Sequence, residues 1–134
     1  MSELQNLQLH RKLQVQEMER CREYIEAALK VYDTHDFEDI VVGVVGGRFD
    51  FWSAPDGCIV TEFLEFPKYR ALNVFLVGGN LKTVMKMRKT IEAFGKETGC
   101  RKLTGSGRKG WARIFTHSKD VDGIYGYMYA KELV

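Results

Sequence analysis

An apolar stripe with helical spacing is the first regular pattern along the chain. Between about residues 15 and 32, apolar side chains recur at steps of three and four among charged ones: Met18, Cys21, Ile25, Ala28, Leu29 and Tyr32. This spacing predicts an amphipathic helix packed on the core along one side. The polar residues before it predict an N-terminal arm over residues 1–14, loose or partner-dependent up to about residue 8, followed by one domain over residues 15–134.

A second, shorter helix is predicted to end at about Val45. The run Asp33-Thr34-His35-Asp36 offers side chains that cap a helix N-terminus, and Gly46-Gly47 closes the segment. The β-branched run Ile40-Val41-Val42 instead favours a strand. Both interpretations stay open at this point.

Three candidate strands follow, separated by turn residues. Residues 48–53 and 58–66 show the two-residue period of strands, and Pro55-Asp56-Gly57 between them predicts a hairpin turn. Residues 71–77 are almost wholly apolar, which is typical of a central strand covered on both faces. The three strands therefore predict an antiparallel meander.

A strand-helix-strand unit comes after the meander. Gly78-Gly79-Asn80 ends the apolar strand and opens the longest predicted helix, which runs to about Lys96. Thr98-Gly99 stops this helix, and residues 100–104 form a short strand. Such a crossover places its two strands parallel. The remaining predicted elements are a short helix at about Lys109–His117 and a last strand at about Gly123–Leu133.

Composition narrows the class of protein. The 134 residues suit one domain, and a net charge of +2 does not mark a nucleic-acid or membrane binder. Three widely spaced cysteines and a polar N-terminus predict a cytoplasmic protein without disulfides. No apolar run approaches the roughly 18 residues that span a bilayer. The three histidines lack metal-ligand spacing, so no metal site is predicted.

The order of elements and several short strings resemble the GNAT-type N-acyltransferases. The strings "THDFEDI", "FDFW", "VTEFLEFP", "LNVFLVGG", "TGC" and "GSGRKGW" resemble a group of GNAT-like proteins encoded in bacteriophage genomes. The resemblance implies a single α+β domain with a mixed, mostly antiparallel sheet of about five to six strands flanked by helices. It also implies a location in the host cytoplasm or the virion.

This resemblance implies a site for acetyl-CoA or another acyl-CoA at the start of the long helix. In the GNAT fold the preceding strand diverges from its neighbour, and the pyrophosphate rests on amides at the helix N-terminus. The matching positions are Val77, Gly78, Gly79, Asn80 and Lys82, and Arg108 in a later glycine loop is a further candidate. The full Arg/Gln-x-x-Gly-x-Gly/Ala motif is absent, so the glycines alternatively just permit a turn.

Acyl transfer also needs a base for the attacking amine. Glu62 and Glu65 on the second predicted strand are the possible bases. Glu62 is the main candidate because it lies among apolar strand residues, although a carboxylate facing solvent or bonded to an arginine is the alternative. Enzymes of this fold often protonate the CoA thiolate with a helix tyrosine. Phe115 stands in that neighbourhood, so Tyr125 or Tyr127 would have to substitute.

Two functions therefore stay open. One is an acyl-CoA-dependent N-acyltransferase with an unknown acceptor. The other is an inactive protein on the same scaffold that serves in a phage particle or binds a host factor. The incomplete motif, the missing tyrosine and the N-terminal arm favour the second. The arm, with Leu4, Leu7 and Leu13, is predicted to contact a protein partner or a second copy.

Overall fold

A computed structural model describes residues 3–105 and 131–133, with side chains from residue 12 onward. The elements in chain order are α1 (Glu3–Arg20), α2 (Arg22–Leu29), α3 (Phe37–Val45), β1 (Phe49–Ala54), β2 (Gly57–Glu65), β3 (Arg70–Gly79), α4 (Leu81–Glu97) and β4 (Cys100–Gly105). The described part of the chain is thus an α+β domain with one four-stranded sheet. The expected five to six strands are not confirmed, and the helix near 109–117 and most of the strand near 123–133 lie outside the described residues.

The N-terminal segment is helical where the structure describes it. α1 begins at Glu3, so residues 3–8 are helical where the polar sequence predicts a loose or partner-dependent segment. The division into an arm over residues 1–14 and a domain over residues 15–134 stays a prediction. The single helix expected over residues 15–32 is divided, because Cys21 leaves helical geometry between α1 and α2. The expectation of one continuous helix was wrong.

Arg20 explains why α1 stops where it does. Its guanidinium donates hydrogen bonds to the carbonyl oxygens of Ala54 at 2.9 Å and Pro55 at 3.0 Å, at the tip of the β1–β2 hairpin. Glu17 accepts hydrogen bonds from Arg20 and from the Ser53 hydroxyl. These long-range bonds fix the last turn of α1 on the hairpin, directly before the break at Cys21.

The segment before the sheet is a helix, so the strand alternative was wrong. The Asp39 carboxylate accepts the backbone N–H of Asp36 at 2.8 Å, which satisfies a donor at the start of α3. Ile40 and Val44, four residues apart, are both buried on one side of α3. Local capping and this apolar stripe together outweigh the strand preference of β-branched residues.

The sheet confirms the predicted meander and crossover. Its order is β1-β2-β3-β4, with antiparallel pairing through β3 and parallel pairing of β3 with β4. Two apolar clusters cover its faces. Val60 and Leu76 pack with residues of α1, α2 and α3, whereas Ile59 and Leu72 pack with residues of α4. The expectation that β3 is a central strand with two covered faces is therefore confirmed.

A β-bulge interrupts β3 near its middle. Val60 lies opposite Leu76, but Thr61 lies opposite Val74, so Phe75 is the extra residue. Both Phe75 and Leu76 consequently contact the cluster on the α1–α3 side of the sheet. A bulge of this kind bends the strand and disrupts its ladder locally.

The two glycines that end β3 have packing roles. A Cβ atom on Gly78 would lie 2.8 Å from Cβ of Tyr24 on α2. Gly79 has a φ of +107°, and a Cβ there would collide with the backbone of Asp56 and Gly57 in the hairpin. Close backbone packing thus requires glycine at both positions.

Gly79→Ala will therefore destabilise the fold more than Gly99→Ala. Both substitutions place a side chain at positive φ, which costs about 1–3 kcal/mol. A Cβ at Gly99 meets nothing within 4 Å, whereas one at Gly79 also meets the hairpin backbone. Urea unfolding of the two variants measures the difference, and equal losses would contradict the packing role of Gly79.

Burial of an acidic side chain adds a pH dependence to stability. Asp50 on β1 is half-buried, and this burial raises the pKa of its carboxyl above the ordinary value. The folded protein therefore binds this proton more tightly than the unfolded chain does. The contribution of this carboxyl to the free energy of unfolding is fully present below the unfolded aspartate pKa of about 3.9. It is lost as pH rises through the raised pKa of the folded protein.

Asp50→Asn removes the loss of stability that accompanies ionisation of the Asp50 carboxyl. The variant will have a larger free energy of unfolding than the parent at about pH 7, because no carboxylate is then left partly buried. The gain will shrink as pH falls toward about 4, where the parent carboxyl is protonated as well. Urea unfolding across this range checks the prediction, and a variant less stable than the parent at pH 7 would refute it.

Candidate functional site

The described part of the parallel ladder between β3 and β4 ends before β3 does. The paired residues run from Arg70 opposite Cys100 to Val74 opposite Gly105, and β3 then continues from Phe75 to Gly79. Within the described residues, nothing pairs with the β4-side edge of these last five positions, which we call the free edge. N–H and C=O groups on such an edge are a template for an extended ligand. The free edge begins directly at the bulge.

The N-terminus of α4 is capped by the chain itself. The Asn80 side-chain oxygen accepts the backbone N–H of Lys82 at 2.9 Å and of Thr83 at 3.4 Å. The Thr83 hydroxyl donates to the Asp56 carboxylate at 2.6 Å, and the Asp56 carbonyl accepts the N–H of Asn80 at 2.8 Å. Two amides expected to hold a pyrophosphate thus already have a partner, and a carboxylate lies beside them.

The cap is weak enough for a ligand to displace. An N-cap side chain contributes about 1 kcal/mol, and a negative charge at a helix N-terminus gains about 0.3–1 kcal/mol from the helix dipole. Gly79, Asn80 and Lys82 are all exposed, whereas Gly78 is buried and Val77 is half-buried. The structure therefore brings the predicted phosphate residues together, although Asp56 opposes an anion there.

Glu62 lies at the other end of the free edge. Its neighbours Thr61 and Phe63 contact Trp52 and Phe94 on the α4 side, so Glu62 points to the α1–α3 side of the sheet. Its partner on β3 is Asn73, six residues before Gly79, which is roughly 20 Å of strand. Glu62 is thus remote from the α4 N-terminus but close to the bulge.

A polar row crosses the sheet beside the bulge. Glu62, Asn73 and Thr104 occupy consecutive paired positions on β2, β3 and β4. The Thr104 hydroxyl donates a hydrogen bond to the Asn73 side-chain oxygen at 2.9 Å. This row directly precedes Val74 and Gly105, the last pair of the ladder within the described residues. The candidate base is therefore one strand away from the start of the free edge.

An acidic cleft of about 560 Å³ opens between the end of α2 and the start of α3. Its charged lining consists of five carboxylates and one lysine: Glu26, Asp33, Asp36, Glu38, Asp39 and Lys30. Arg22 pairs with Glu26 at 2.8 Å and with Glu38 at 3.3 Å, which offsets part of this charge. The remaining excess of carboxylates favours a cationic ligand.

Aromatic rings connect this acidic cleft to the bulge. Tyr32 and His35, which line the cleft, contact Phe75 with ring centroids 5.4 and 5.2 Å apart. Phe75 also stacks on Phe49 of β1 at 5.5 Å. The acidic cleft and the free edge of β3 therefore meet at Phe75, and together they form the candidate site.

Sequence reasoning did not identify this cleft. In the sequence, the run from Asp33 to Asp36 predicts helix caps alone. The available signal was charge density, because Asp33, Asp36, Glu38 and Asp39 fall within seven residues. The pairing of this run with Phe75 depends on tertiary structure and has no local signal.

The other candidate groups contribute less to the site. Burial raises the pKa of the Cys58 thiol to about 12, and burial also raises the pKa of Cys21, so neither is a nucleophile. Glu65 is exposed and paired with Arg70. In the described ranges, no group of three or more His, Cys, Asp or Glu side chains has the geometry to hold a metal ion, and no helix is long and apolar enough to cross a membrane. The candidates Tyr125 and Arg108 lie outside the described residues.

Comparisons with known proteins show the fold and no closer relationship. No family model matches the chain, and no curated protein gives a significant match. Three solved structures resemble it. An integron cassette protein from the mobile metagenome of Vibrio cholerae is 11% identical, with a TM-score of 0.59 over 87% of this chain and 85% of that one. A Bacillus halodurans protein is 11% identical, with a TM-score of 0.57 over 94% and 90%.

The third similar structure is an aminoglycoside acetyltransferase from an uncultured soil metagenomic sample, in complex with sisomicin. It is 14% identical, with a TM-score of 0.53 over 88% of this chain and 86% of that chain. The chain therefore shares the fold of a GNAT-type acetyltransferase, as its sequence predicts. None of the three similar structures supports a phage origin.

Asn80→Ala will lower the free energy of unfolding by about 1 kcal/mol, because Lys82 and Thr83 lose their side-chain acceptor. Asn80→Asp is the matched control, since aspartate caps helices equally well and should leave stability nearly unchanged. Urea unfolding of both variants checks this. Equal stability of the alanine variant and the parent would show that the cap is not formed in solution.

Proposed function

We propose that this protein is an acyl-CoA-dependent N-acyltransferase that acts on a cationic amine. The observation that carries the proposal is the contact between the acidic cleft and the Phe75 bulge of β3, the strand that leads into the α4 N-terminus. The acyl thioester would lie along the edge of β3, the amine would lie in the acidic cleft, and the two would meet at Phe75. The shared fold with an acetyltransferase supports this chemistry without assigning it.

The donor would lie along the free edge of β3. The amide-containing pantetheine arm of acyl-CoA is suited to hydrogen bonding with the backbone from Phe75 to Gly79. The pyrophosphate would then lie near Asn80 and Lys82, where it displaces the Asn80 cap. The thioester would lie at the bulge, beside Glu62 and Asn73 on the neighbouring positions of the sheet.

The acceptor would enter the acidic cleft. Its five carboxylates attract an amine that carries more than one positive charge, and its aromatic side chains can contact ammonium groups. The similar acetyltransferase, in complex with sisomicin, is an aminoglycoside acetyltransferase. We therefore propose a polycationic amine as the acceptor class.

Glu62 is proposed to act from the sheet as a base or as an electrostatic partner of the attacking ammonium group. Its position beside the bulge supports this role. Tyr125 as the acid for the thiolate and Arg108 as a phosphate contact stay proposals from the sequence resemblance.

Calorimetric titration with acetyl-CoA, followed by an assay of CoA thiol release with sisomicin, tests the proposed function. We expect micromolar-range binding and amine-dependent thiol release. The Glu62→Gln variant should bind acetyl-CoA like the parent and release thiol more slowly, by about 10²-fold or more if Glu62 is the base. Absence of binding at millimolar acetyl-CoA would refute the proposed function.

Asp56→Asn will tighten acetyl-CoA binding by about two- to fivefold. The substitution removes a like charge beside the phosphate position, and a charge near a helix N-terminus is worth about 0.3–1 kcal/mol. Glu97→Gln at the far end of α4 is the matched control and should change nothing. The same calorimetric titration measures both, and weaker binding by Asp56→Asn would place the pyrophosphate elsewhere.

A second candidate function is an inactive member of this fold that binds a protein. The self-capped α4 N-terminus, with Asp56 beside it, favours this candidate because it does not require an anion. Self-association through α1 stays a prediction. Light scattering that shows a dimer, together with no response to acetyl-CoA, would favour this function over the enzyme.

A further inference from the structure

His35 occupies the place where the acidic cleft meets the bulge. It lines the cleft, and its half-buried ring lies edge-on to Phe75 at 5.2 Å and to Phe49 at 6.2 Å. The two phenylalanines fix the plane of the imidazole between α2, β1 and β3. The position of this ring is thus set by packing against the sheet.

One ring nitrogen of His35 is engaged, and within the described residues the other is available. Nδ1 lies 2.7 Å from the Thr34 hydroxyl oxygen. Across the described residues, the chain provides no hydrogen-bond partner for Nε2. The Thr34 hydroxyl can accept from Nδ1 or donate to it, and in the tautomer in which it accepts, Nε2 is the unprotonated, accepting nitrogen of the neutral ring.

Glu62 does not line the cleft, whereas His35 does. An acceptor amine held by the cleft carboxylates would therefore reach His35 before it reaches Glu62. Imidazole is also the side chain that ordinarily exchanges a proton between pH 5 and 8, which suits a general base at neutral pH.

We infer that His35 is the general base that accepts a proton from the acceptor amine. This inference rests on the proposed acyl transfer. The protonated amine gives one proton to Nε2 of His35, and the amine nitrogen then attacks the thioester carbonyl carbon. The new carbon–nitrogen bond forms, the carbon–sulfur bond breaks, and the CoA thiolate leaves. A second proton from the former amine goes to the thiolate, and the His35 proton goes to solvent.

Other charged groups also face His35. They are the five carboxylates and Lys30 of the cleft, Arg48 before β1, whose guanidinium lies over the Phe49 ring, and Glu62 on β2 opposite Phe49. Side chains of these types ordinarily keep their charge between pH 5 and 8. A change of rate in this window that depends on position 35 therefore reports the imidazole.

His35→Asn keeps an amide near Thr34 but has no group at the Nε2 position. We expect kcat/KM for sisomicin to fall by about 10²–10⁴-fold at neutral pH, and the loss of rate on acidification to disappear. Acetyl-CoA affinity from calorimetry should not change. His10→Asn in α1 is the control for a histidine outside the cleft and should retain the parent profile.

His35→Ala adds a measurement that distinguishes a catalytic role of His35 from a purely structural one. Added imidazole should restore part of the rate to this variant and leave the parent unaffected. If the parent transfers acyl groups but His35→Asn keeps its rate and its pH profile, the His35 role is wrong and the proposed function stands. If the parent binds no acetyl-CoA and releases no thiol, the proposed function fails and the His35 role fails with it.

Discussion

The bulge at Phe75 is the constraint on which the site depends. β3 is paired with β2 from Arg70 to Gly79, and the described part of its parallel ladder with β4 covers Arg70 to Val74, just before the bulge. The extra residue turns Phe75 and Leu76 toward the same cluster, and Phe75 then contacts the rings of Tyr32 and His35. A single local irregularity thus lies at the start of the free edge of β3 and brings it into contact with the loop between α2 and α3.

The other end of the free edge is held by backbone packing. Gly78 lies against Tyr24 of α2. Gly79 lies against the β1–β2 hairpin, to which Arg20 of α1 donates hydrogen bonds. This packing makes the direction of β3 into α4 rigid, so the α4 N-terminus has a fixed position relative to the edge. The glycines that resemble a phosphate motif are therefore explained by packing first, and an anion at Asn80 is an additional role.

The sequence predicted the elements better than their ends. The meander, the crossover and α4 follow from strand periods, turn residues and an apolar stripe, all of which are local. The break at Cys21 was not predictable, because it depends on hydrogen bonds from Arg20 to a hairpin 34 and 35 residues away. For the site, Glu62 and the Asn80 region were identified from the resemblance. His35 and the acidic cleft were missed, because their contact with Phe75 exists only in the folded chain.

Backbone amide NMR with acetyl-CoA tests the central claim most directly, since it locates the donor without any substitution. The account predicts that the amides from Phe75 to Gly79, with those of Lys82 and Thr83, shift on titration and become protected from hydrogen exchange. The amides at the far end of α4, near Glu97, should stay unchanged. Shifts confined to other elements, or no shift in the Phe75–Gly79 edge at saturating ligand, would contradict it.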